Sequence, residues 1–227
     1  MKHPLQAAAL LALAPLLALC ATAITPNHVD DFQDGTLQNW AGGSVPTNIA
    51  NGGPGGAGDR YLQISASGNL LGTYNKVQWA GNYAAAGVKQ VQMNLNNFVG
   101  QPLSLRITLL TPGCGIGATA CTAWATTNAT ALASGSGWVT ASFSIEQANL
   151  TRVLGSDSYA ASMANIERLL IRHDPGPPTA PGPGSGTPVT ATLGIDNVVP
   201  EPPGPLGLAA GAGLLGALGW RRHRARA

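Results

Sequence analysis

Charged residues are scarce in this chain of 227 residues, since Asp, Glu, Lys and Arg together make up 10% of it. Ordinary soluble domains carry about a quarter. This shortage excludes a coiled coil and a charge-rich disordered protein. It also argues against an ordinary helical enzyme, whose helix surfaces carry many Glu, Lys and Arg residues. Aromatic residues are few as well, at 5% of the chain.

Residues that carry catalysis are equally sparse. The chain has four histidines and three cysteines, and the two histidines away from its ends, His28 and His173, lack the spacing of a metal-binding pair. The sequence has no nucleophile elbow, zinc-protease helix motif, phosphate loop or dinucleotide fingerprint. Glu146 and Glu167 would be the carboxylates of a glycosidase, but neither lies in a motif. We therefore predict that the protein is not an enzyme.

Apolar and polar residues alternate in several segments in the middle of the chain. Clusters of Gly, Asn and Pro separate the alternating segments, and only residues 147–150 and 158–164 suit a turn or two of helix. A period of two with one polar face is typical of antiparallel sheets that bury one side. We predict an all-β, antiparallel β-sandwich. The alternating segments are 62–66, 91–95, 103–109, 139–145 and 189–195.

Residues 1–23 have the composition of a secretory signal peptide. Lys2 supplies a positive start, an apolar run extends over residues 7–21, and Ala21-Thr22-Ala23 is a small-residue cleavage site. The run is short for a permanent membrane anchor, which is one alternative. Cys20 suggests another, a lipoprotein signal, although the Leu before it fits such a signal poorly. We predict export with cleavage after residue 23.

The C-terminal end has three parts in order: a short motif at residues 199–202, an apolar, glycine-rich segment at 206–220, and a basic tail at 221–227. As a helix the apolar segment is about 22 Å long, shorter than the roughly 30 Å of a bilayer core. Clustered arginines after such a segment stop its transfer across a membrane. The motif residues are Val199, Pro200, Glu201 and Pro202, and the arginines of the predicted membrane stop are Arg221, Arg222, Arg224 and Arg226.

These three parts together resemble the PEP-CTERM sorting signal of Gram-negative bacteria, which is also labelled an ice-binding protein C-terminal domain. The resemblance covers residues 199–227. It implies that the chain forms an inner-membrane intermediate, is processed by an exosortase near the motif, and reaches the cell surface or the extracellular polysaccharide matrix. A tail-anchored membrane protein without this processing is the alternative.

Residues 24–199 remain for one β-sandwich domain. We interpret the proline- and glycine-rich stretch 175–188 as a loop inside it, because the strand that follows is too short to be stable alone.

Asp30–Trp40 resembles the opening of galactose-binding-like jelly rolls, including many carbohydrate-binding modules. Gly58–Ile64 and Ile195–Val198 resemble the next and last strands of those modules. The resemblance implies a jelly roll, here flanked by the signal peptide and a short C-terminal transmembrane helix.

The same resemblance implies a structural Ca²⁺ where acidic residues of the first and last strands meet. Asp31, Asp34 and Asp196 are the predicted metal ligands, completed by backbone carbonyl oxygens because Ca²⁺ takes about six to eight oxygens. Gln33 stands where those modules often carry Glu. The alternative role of these aspartates is to cap turns in solvent.

Cys114 and Cys121 are the two cysteines that follow the signal peptide. In an exported protein, two cysteines this close in sequence predict a disulfide. Two free thiols are the alternative, and a zinc site would need two further ligands.

Aromatic residues are the main hint of a ligand, since sugars are bound by aromatic faces together with a few polar groups. Trp79 and Tyr83 flank a short Ala-Gly-Asn turn, and Trp124 follows the cysteine loop. These three are the predicted glycan-binding residues, with a place in the core as the alternative for Trp79. Trp40 and Trp138 are expected in the core.

The basic isoelectric point, about 8.6, belongs to the ends of the chain. Residues 24–199 carry seven basic and nine acidic residues, a net charge of −2, so nucleic acid is not an expected partner. We predict a non-catalytic, exported protein sorted by an exosortase. The alternative is a carbohydrate-binding module for a surface or extracellular polysaccharide.

Overall fold

A computed structural model gives the fold and describes residues 24–114, 121–182 and 185–202. They form an antiparallel β-sandwich, which confirms the predicted fold class. The predicted signal peptide, membrane segment and arginine tail lie outside these residues, and no helix within them is long and apolar enough to cross a bilayer. In chain order the strands are β1 (Trp40–Ala41), β2 (Thr47–Ile49), β3 (Tyr61–Asn69), β4 (Gly72–Asn75), β5 (Gln90–Gly100), β6 (Leu103–Leu110), β7 (Ala123–Thr126), β8 (Thr130–Leu132), β9 (Val139–Ser144), β10 (Leu150–Leu154), β11 (Arg168–His173) and β12 (Val189–Glu201).

Two sheets make up the sandwich. The smaller has the strand order β2-β3-β12-β5-β9, and the larger has the order β1-β4-β11-β6-β7-β10, with β8 also paired to β6. The neighbouring strands run antiparallel in both sheets. β11 therefore lies between β4 and β6, and β12, the last strand in sequence, lies in the middle of the smaller sheet.

The core between the sheets comes from one face of each strand. In the smaller sheet, Leu193 lies opposite Ile64, and Ile195 lies opposite both Leu62 and Leu95. All five are fully buried. Because side chains alternate along a strand, the residues between them point to the outer face. Each buried side chain of this size contributes about 2 kcal/mol.

The outer face of the smaller sheet is lined with hydroxyls and amides, such as Asn94, whose Nδ2 donates to Thr140 Oγ1 at 3.0 Å. Trp138 also lies on this face, half-buried, with its ring edge-on to those of Tyr61 and Phe98. Its expected place in the core is wrong, because it continues the outward-facing register of β9.

Helix is confined, in the described part of the chain, to α1 (Tyr159–Met163) and a 3₁₀ turn at Gln147–Asn149. Both lie where the sequence predicts a short helix. Ser158 Oγ accepts a hydrogen bond from the N–H of Ala161 at 3.2 Å, which caps the first turn of α1.

The last strand extends further than the sequence pattern predicts. β12 continues through Glu201, whose carbonyl oxygen accepts from the Lys89 N–H at 2.9 Å. Asn197, at φ 50°, forms a bulge that keeps the strand paired with β5 on both sides. Val198 exchanges two backbone hydrogen bonds with Asp30, at 3.0 and 3.1 Å. Three residues of the predicted sorting motif, 199–201, therefore belong to the sheet.

A buried carboxylate joins the start of the domain to its core. Asp30 is fully buried, and its Oδ2 accepts from the indole N–H groups of Trp40 and Trp79 at 2.7 and 2.6 Å. Its Oδ1 accepts from Gln78 Nε2 at 3.0 Å and lies 2.9 Å from His28 Nε2. Hydrogen bonds to an ionised acceptor are stronger than neutral ones, particularly away from water. Asp30 therefore fixes two large core side chains at once.

Asp30→Asn should lower the free energy of unfolding by about 3 kcal/mol, because the amide brings another donor into a site already filled with donors. Urea unfolding followed by tryptophan fluorescence measures this loss. The control is Asp157→Asn, a change at an exposed residue, which should stay within about 0.5 kcal/mol of the parent protein. Equal stability of the two variants would contradict the role of Asp30.

Candidate functional site

The three aromatic residues predicted to bind glycan are covered. Trp79 and Tyr83 are 1% and 0% exposed, and the Tyr83 hydroxyl donates to the Trp79 carbonyl oxygen at 2.9 Å. Trp124 is 8% exposed and packs edge-on against Tyr159, with Arg152 5.8 Å from its ring centroid. The predicted surface platform is therefore wrong, because the core and neighbouring side chains occupy the ring faces that a sugar would need.

A groove of about 500 Å³ lies on the outer face of the larger sheet. Its floor is formed by β4 and β11, where Tyr74 and Leu170 are direct neighbours in register. The residues on either side of Leu170, Leu169 and Ile171, are fully buried in the core, so Leu170 points away from it. The residues that line the groove include Tyr74, Leu110, Arg168, Leu170, Arg172 and His173.

Tyr74 is the aromatic residue of the groove, and two contacts hold its half-buried ring. The Arg168 guanidinium carbon lies 5.1 Å from the ring centroid, a cation–π arrangement. Gly42, at φ 69°, lies so close that a Cβ there would be 2.1 Å from the ring. Only glycine suits both that backbone conformation and that approach. The ring therefore has a fixed place on the groove floor.

The Cys114–Cys121 disulfide borders the groove and confirms the predicted pairing. Both cysteines pack with Leu110 and Ala123 in a small hydrophobic cluster, separate from the main core. Leu110 lies opposite Arg168 in register, so this cluster is on the same outer face as the groove. A bridge over a loop this short contributes about 2 kcal/mol, at the lower end of the usual range.

Two buried arginines hold the loop between β11 and β12 against the larger sheet. Arg172 donates to the Thr179 carbonyl oxygen at 3.0 Å and lies 2.7 Å from Asp174 Oδ2. Arg106 Nε donates to the Asp174 carbonyl oxygen at 3.0 Å. Burial lowers the pKa of the Arg106 guanidinium, while the charge of Asp174 opposes that shift. This loop forms part of the rim of the groove, at residues 181–182.

His173 ends β11 beside the groove, and its imidazole is held by the strand next to it. Its Nδ1 accepts the backbone N–H of Ser104 at 3.0 Å, which leaves the ring proton on Nε2. Burial lowers the pKa of this imidazole below its ordinary value near 6.5, with Asp174 opposing the shift. The neutral ring therefore keeps one N–H donor, at Nε2.

The predicted calcium ligands do not assemble as a set of three. Asp34 is exposed, and backbone and side-chain hydrogen bonds from Thr36 lower its pKa. Burial raises the pKa of Asp196 to about 8, and the charges of Asp59 and Asp31 add to that shift. Asp59 thus takes the place predicted for Asp34. Among the described residues, no group of three or more acidic, His or Cys side chains is arranged to hold a metal ion.

Gln33 lies at the centre of the oxygen atoms in this corner. Its Nε2 donates to Asp59 Oδ1 at 2.7 Å and to the carbonyl oxygens of Asp31 and Arg60 at 3.0 and 3.2 Å. Three oxygens thus surround an amide nitrogen that has two hydrogens. Carboxylate and carbonyl oxygens are the ligands that Ca²⁺ prefers, but here they accept hydrogen bonds from the Gln33 amide, so calcium binding stays a prediction.

The sequence pattern did not reveal the groove. β11 reads Arg-Leu-Leu-Ile-Arg-His, and four of its six residues are buried, so apolar and polar residues do not alternate cleanly. A usable signal was present, because Arg168, Leu170 and Arg172 are two residues apart and must share one face of a strand.

No family model and no curated protein matches the sequence. A family 11 carbohydrate-binding module from Clostridium thermocellum, solved in complex with a beta-1,3-1,4-mixed-linked tetrasaccharide, is 16% identical over 79% of this chain and 97% of that chain, with a TM-score of 0.52. The N-terminal CBM22-1–CBM22-2 tandem domain from Paenibacillus barcinonensis Xyn10C is 15% identical over 83% of this chain and 48% of that chain, with a TM-score of 0.50. An exo-beta-agarase is 8% identical over 80% of this chain and 26% of that chain, with a TM-score of 0.53. The chain therefore shares the jelly-roll fold of carbohydrate-binding modules.

Proposed function

We propose that the protein is an exported carbohydrate-binding protein and that the groove on the larger sheet is its binding site. The observation that carries this proposal is the groove itself, an open and mainly apolar channel that holds a fixed aromatic ring, Tyr74, and a few polar side chains, among them Arg168 and Ser185. Its volume falls within the range of about 300–1,000 Å³ that is usual for ligand sites. The fold shared with a module solved in complex with a tetrasaccharide supports the same function.

The groove suits binding better than catalysis. A glycosidase places two carboxylates on either side of the bond that it cleaves. In the described part of the chain, the residues that line this groove include no Asp or Glu. The part of the half-buried Tyr74 ring that Arg168 and Gly42 leave exposed can contact a sugar ring, and the neighbouring N–H and O–H groups can donate to the sugar's oxygens. We therefore propose a non-catalytic role.

Export is supported by the disulfide, because such bonds persist in oxidising compartments. We also propose exosortase processing at the C-terminal end, on the strength of the sequence resemblance. Val199 and Glu201 pair with β5, so a cut before Glu201 would shorten a central strand. We place the processing site after Glu201, which leaves the sandwich whole.

We further propose that Ca²⁺ binds in the corner formed by Asp31, Asp59 and Asp196, with the carbonyl oxygens of Asp31 and Arg60 as additional ligands. A divalent cation there would offset the charges of Asp31 and Asp59, and it would favour the ionised form of Asp196. Its expected effect is structural, because the corner joins the first loop to the last strand.

Tyr74→Ala should weaken glycan binding about tenfold or more, because it removes the stacking surface of the groove. Affinity electrophoresis through gels that contain soluble polysaccharides measures the loss. Phe98→Ala removes an aromatic ring from the outer face of the other sheet and serves as the control, with retained binding expected. Full binding by Tyr74→Ala would place the site elsewhere.

The mature protein isolated from its own cells should begin at Ile24 and end after Glu201, without the arginine-rich tail. Intact-mass spectrometry reads both ends at once. A C-terminus that extends to Ala227 on the exported protein would rule out processing and favour the tail-anchored alternative.

Calcium should raise the melting temperature relative to the same protein in EGTA, because a ligand bound only by the folded state stabilises it. Asp196→Asn should abolish this calcium-dependent shift, whereas Asp157→Asn should keep it. Identical melting curves in calcium and EGTA would contradict a structural ion.

A further inference from the structure

The end of β12 is paired on both sides, by the first residues of the domain and by β5. The backbone pairing of Asp30 continues to Asn27, whose N–H donates to the carbonyl oxygen of Pro200 at 3.1 Å. On the other side, Glu201 lies opposite Gln90 in register. These contacts form what we call the terminal seam, which consists of residues 27–30, 89–90 and 198–201.

Glu201 is held in the terminal seam by its backbone and by its side chain. Its carbonyl oxygen accepts from the Lys89 N–H at 2.9 Å, and one of its carboxylate oxygens accepts from Gln90 Nε2. Glu201 is 8% exposed, and Pro200 before it is buried. A processing enzyme binds the residues beside the cut in its own active site, so these residues must first leave the sheet. Cleavage of such a segment therefore follows local opening.

The terminal seam can open without unfolding of the whole domain. Its cover on one side is the short segment 27–29, whose side chains are exposed. Pro200 has no N–H, so it can give this segment only its carbonyl oxygen. Further back along β12, Leu193 and Ile195 are fully buried in the core. Because segments with few buried apolar contacts open at a lower free energy than the core, opening can be confined to the seam.

We propose that the terminal seam is a gate for C-terminal processing: the closed seam withholds residues 199–201 from the processing enzyme, and the cut after Glu201 is made only while the seam is open. This deepens, and rests on, the proposed processing at the C-terminal end. The predicted sorting motif and the last paired residues of β12 are the same residues, and they cannot lie in the sheet and in an active site at once. The rate of processing is therefore set by the local stability of the folded domain.

The first test measures opening of the terminal seam. Gln90→Ala removes the donor to the Glu201 carboxylate, so hydrogen exchange at the Asn27 and Lys89 amides should become about tenfold faster, with unchanged exchange in β6. Mass spectrometry of the full-length precursor, made in a host without an exosortase, gives both rates. Gln63→Ala shortens a glutamine of β3 in the same sheet, and this matched control should leave exchange at the seam unchanged.

The second test measures processing by pulse-chase labelling in the protein's own cells. The Gln90→Ala precursor should be converted to the mature form faster than the parental precursor, by up to the same factor of about ten, because cleavage tracks the population of the open form. Gln90→Glu places a second carboxylate opposite Glu201 and should be processed at least as fast as Gln90→Ala. Gln63→Ala should be processed at the parental rate.

Four outcomes separate the gate from the processing itself. Slow exchange at the Asn27 and Lys89 amides of the parent, together with faster processing of Gln90→Ala, supports the gate. Exchange at these amides as fast as in an exposed loop shows that the seam is not closed, and it overturns the gate. Equal processing of the parent and Gln90→Ala, despite faster exchange in the variant, also overturns the gate and leaves the proposed processing standing. Absence of processing in the protein's own cells overturns both.

Discussion

The rest of the domain depends on the hydrogen bonds that the buried carboxylate of Asp30 accepts. It accepts the indole N–H groups of Trp40 and Trp79 in the core, and its backbone pairs with Val198 of the last strand. A buried tryptophan needs a hydrogen-bond acceptor for its indole N–H group. Here one carboxylate oxygen is the acceptor for both rings. A residue near the start of the domain therefore links the larger sheet to β12, the last strand of the described part of the chain.

The position of the groove also depends on the Asp30 carboxylate. Trp40 begins β1, which pairs with β4, and the next residue in β1 lies opposite Tyr74. Gly42 follows β1 directly and lies against the Tyr74 ring. The aromatic side chain that we assign to sugar binding is thus held by a strand that is itself anchored at Asp30. Only a few residues therefore separate the proposed binding site from the buried carboxylate.

The sequence predicted the fold best where one face of a sheet is buried and the other is exposed to solvent. The alternation around Leu193 and Ile195 predicted both the strand and its inward face, and two nearby cysteines in an exported chain predicted the disulfide. The pattern was less informative in β11, because Leu170 lies on the outer face, in the groove, and so breaks the alternation of apolar and polar residues. Trp79 and Tyr83 were misplaced for a related reason: a short Ala-Gly-Asn turn is typical of the surface, but long-range hydrogen bonds, such as that to Asp30, decide where the rings go.

The order of strands also constrains how the chain must fold. β12 spans 13 residues, lies between β3 and β5, and is the last strand of the described part of the chain to leave the ribosome. Until it arrives, β3 and β5 each have an unpaired edge, and such edges pair readily with other chains. The smaller sheet can therefore close only after synthesis of the domain is complete. Until then the unpaired edges of β3 and β5 leave the partly folded chain prone to aggregation.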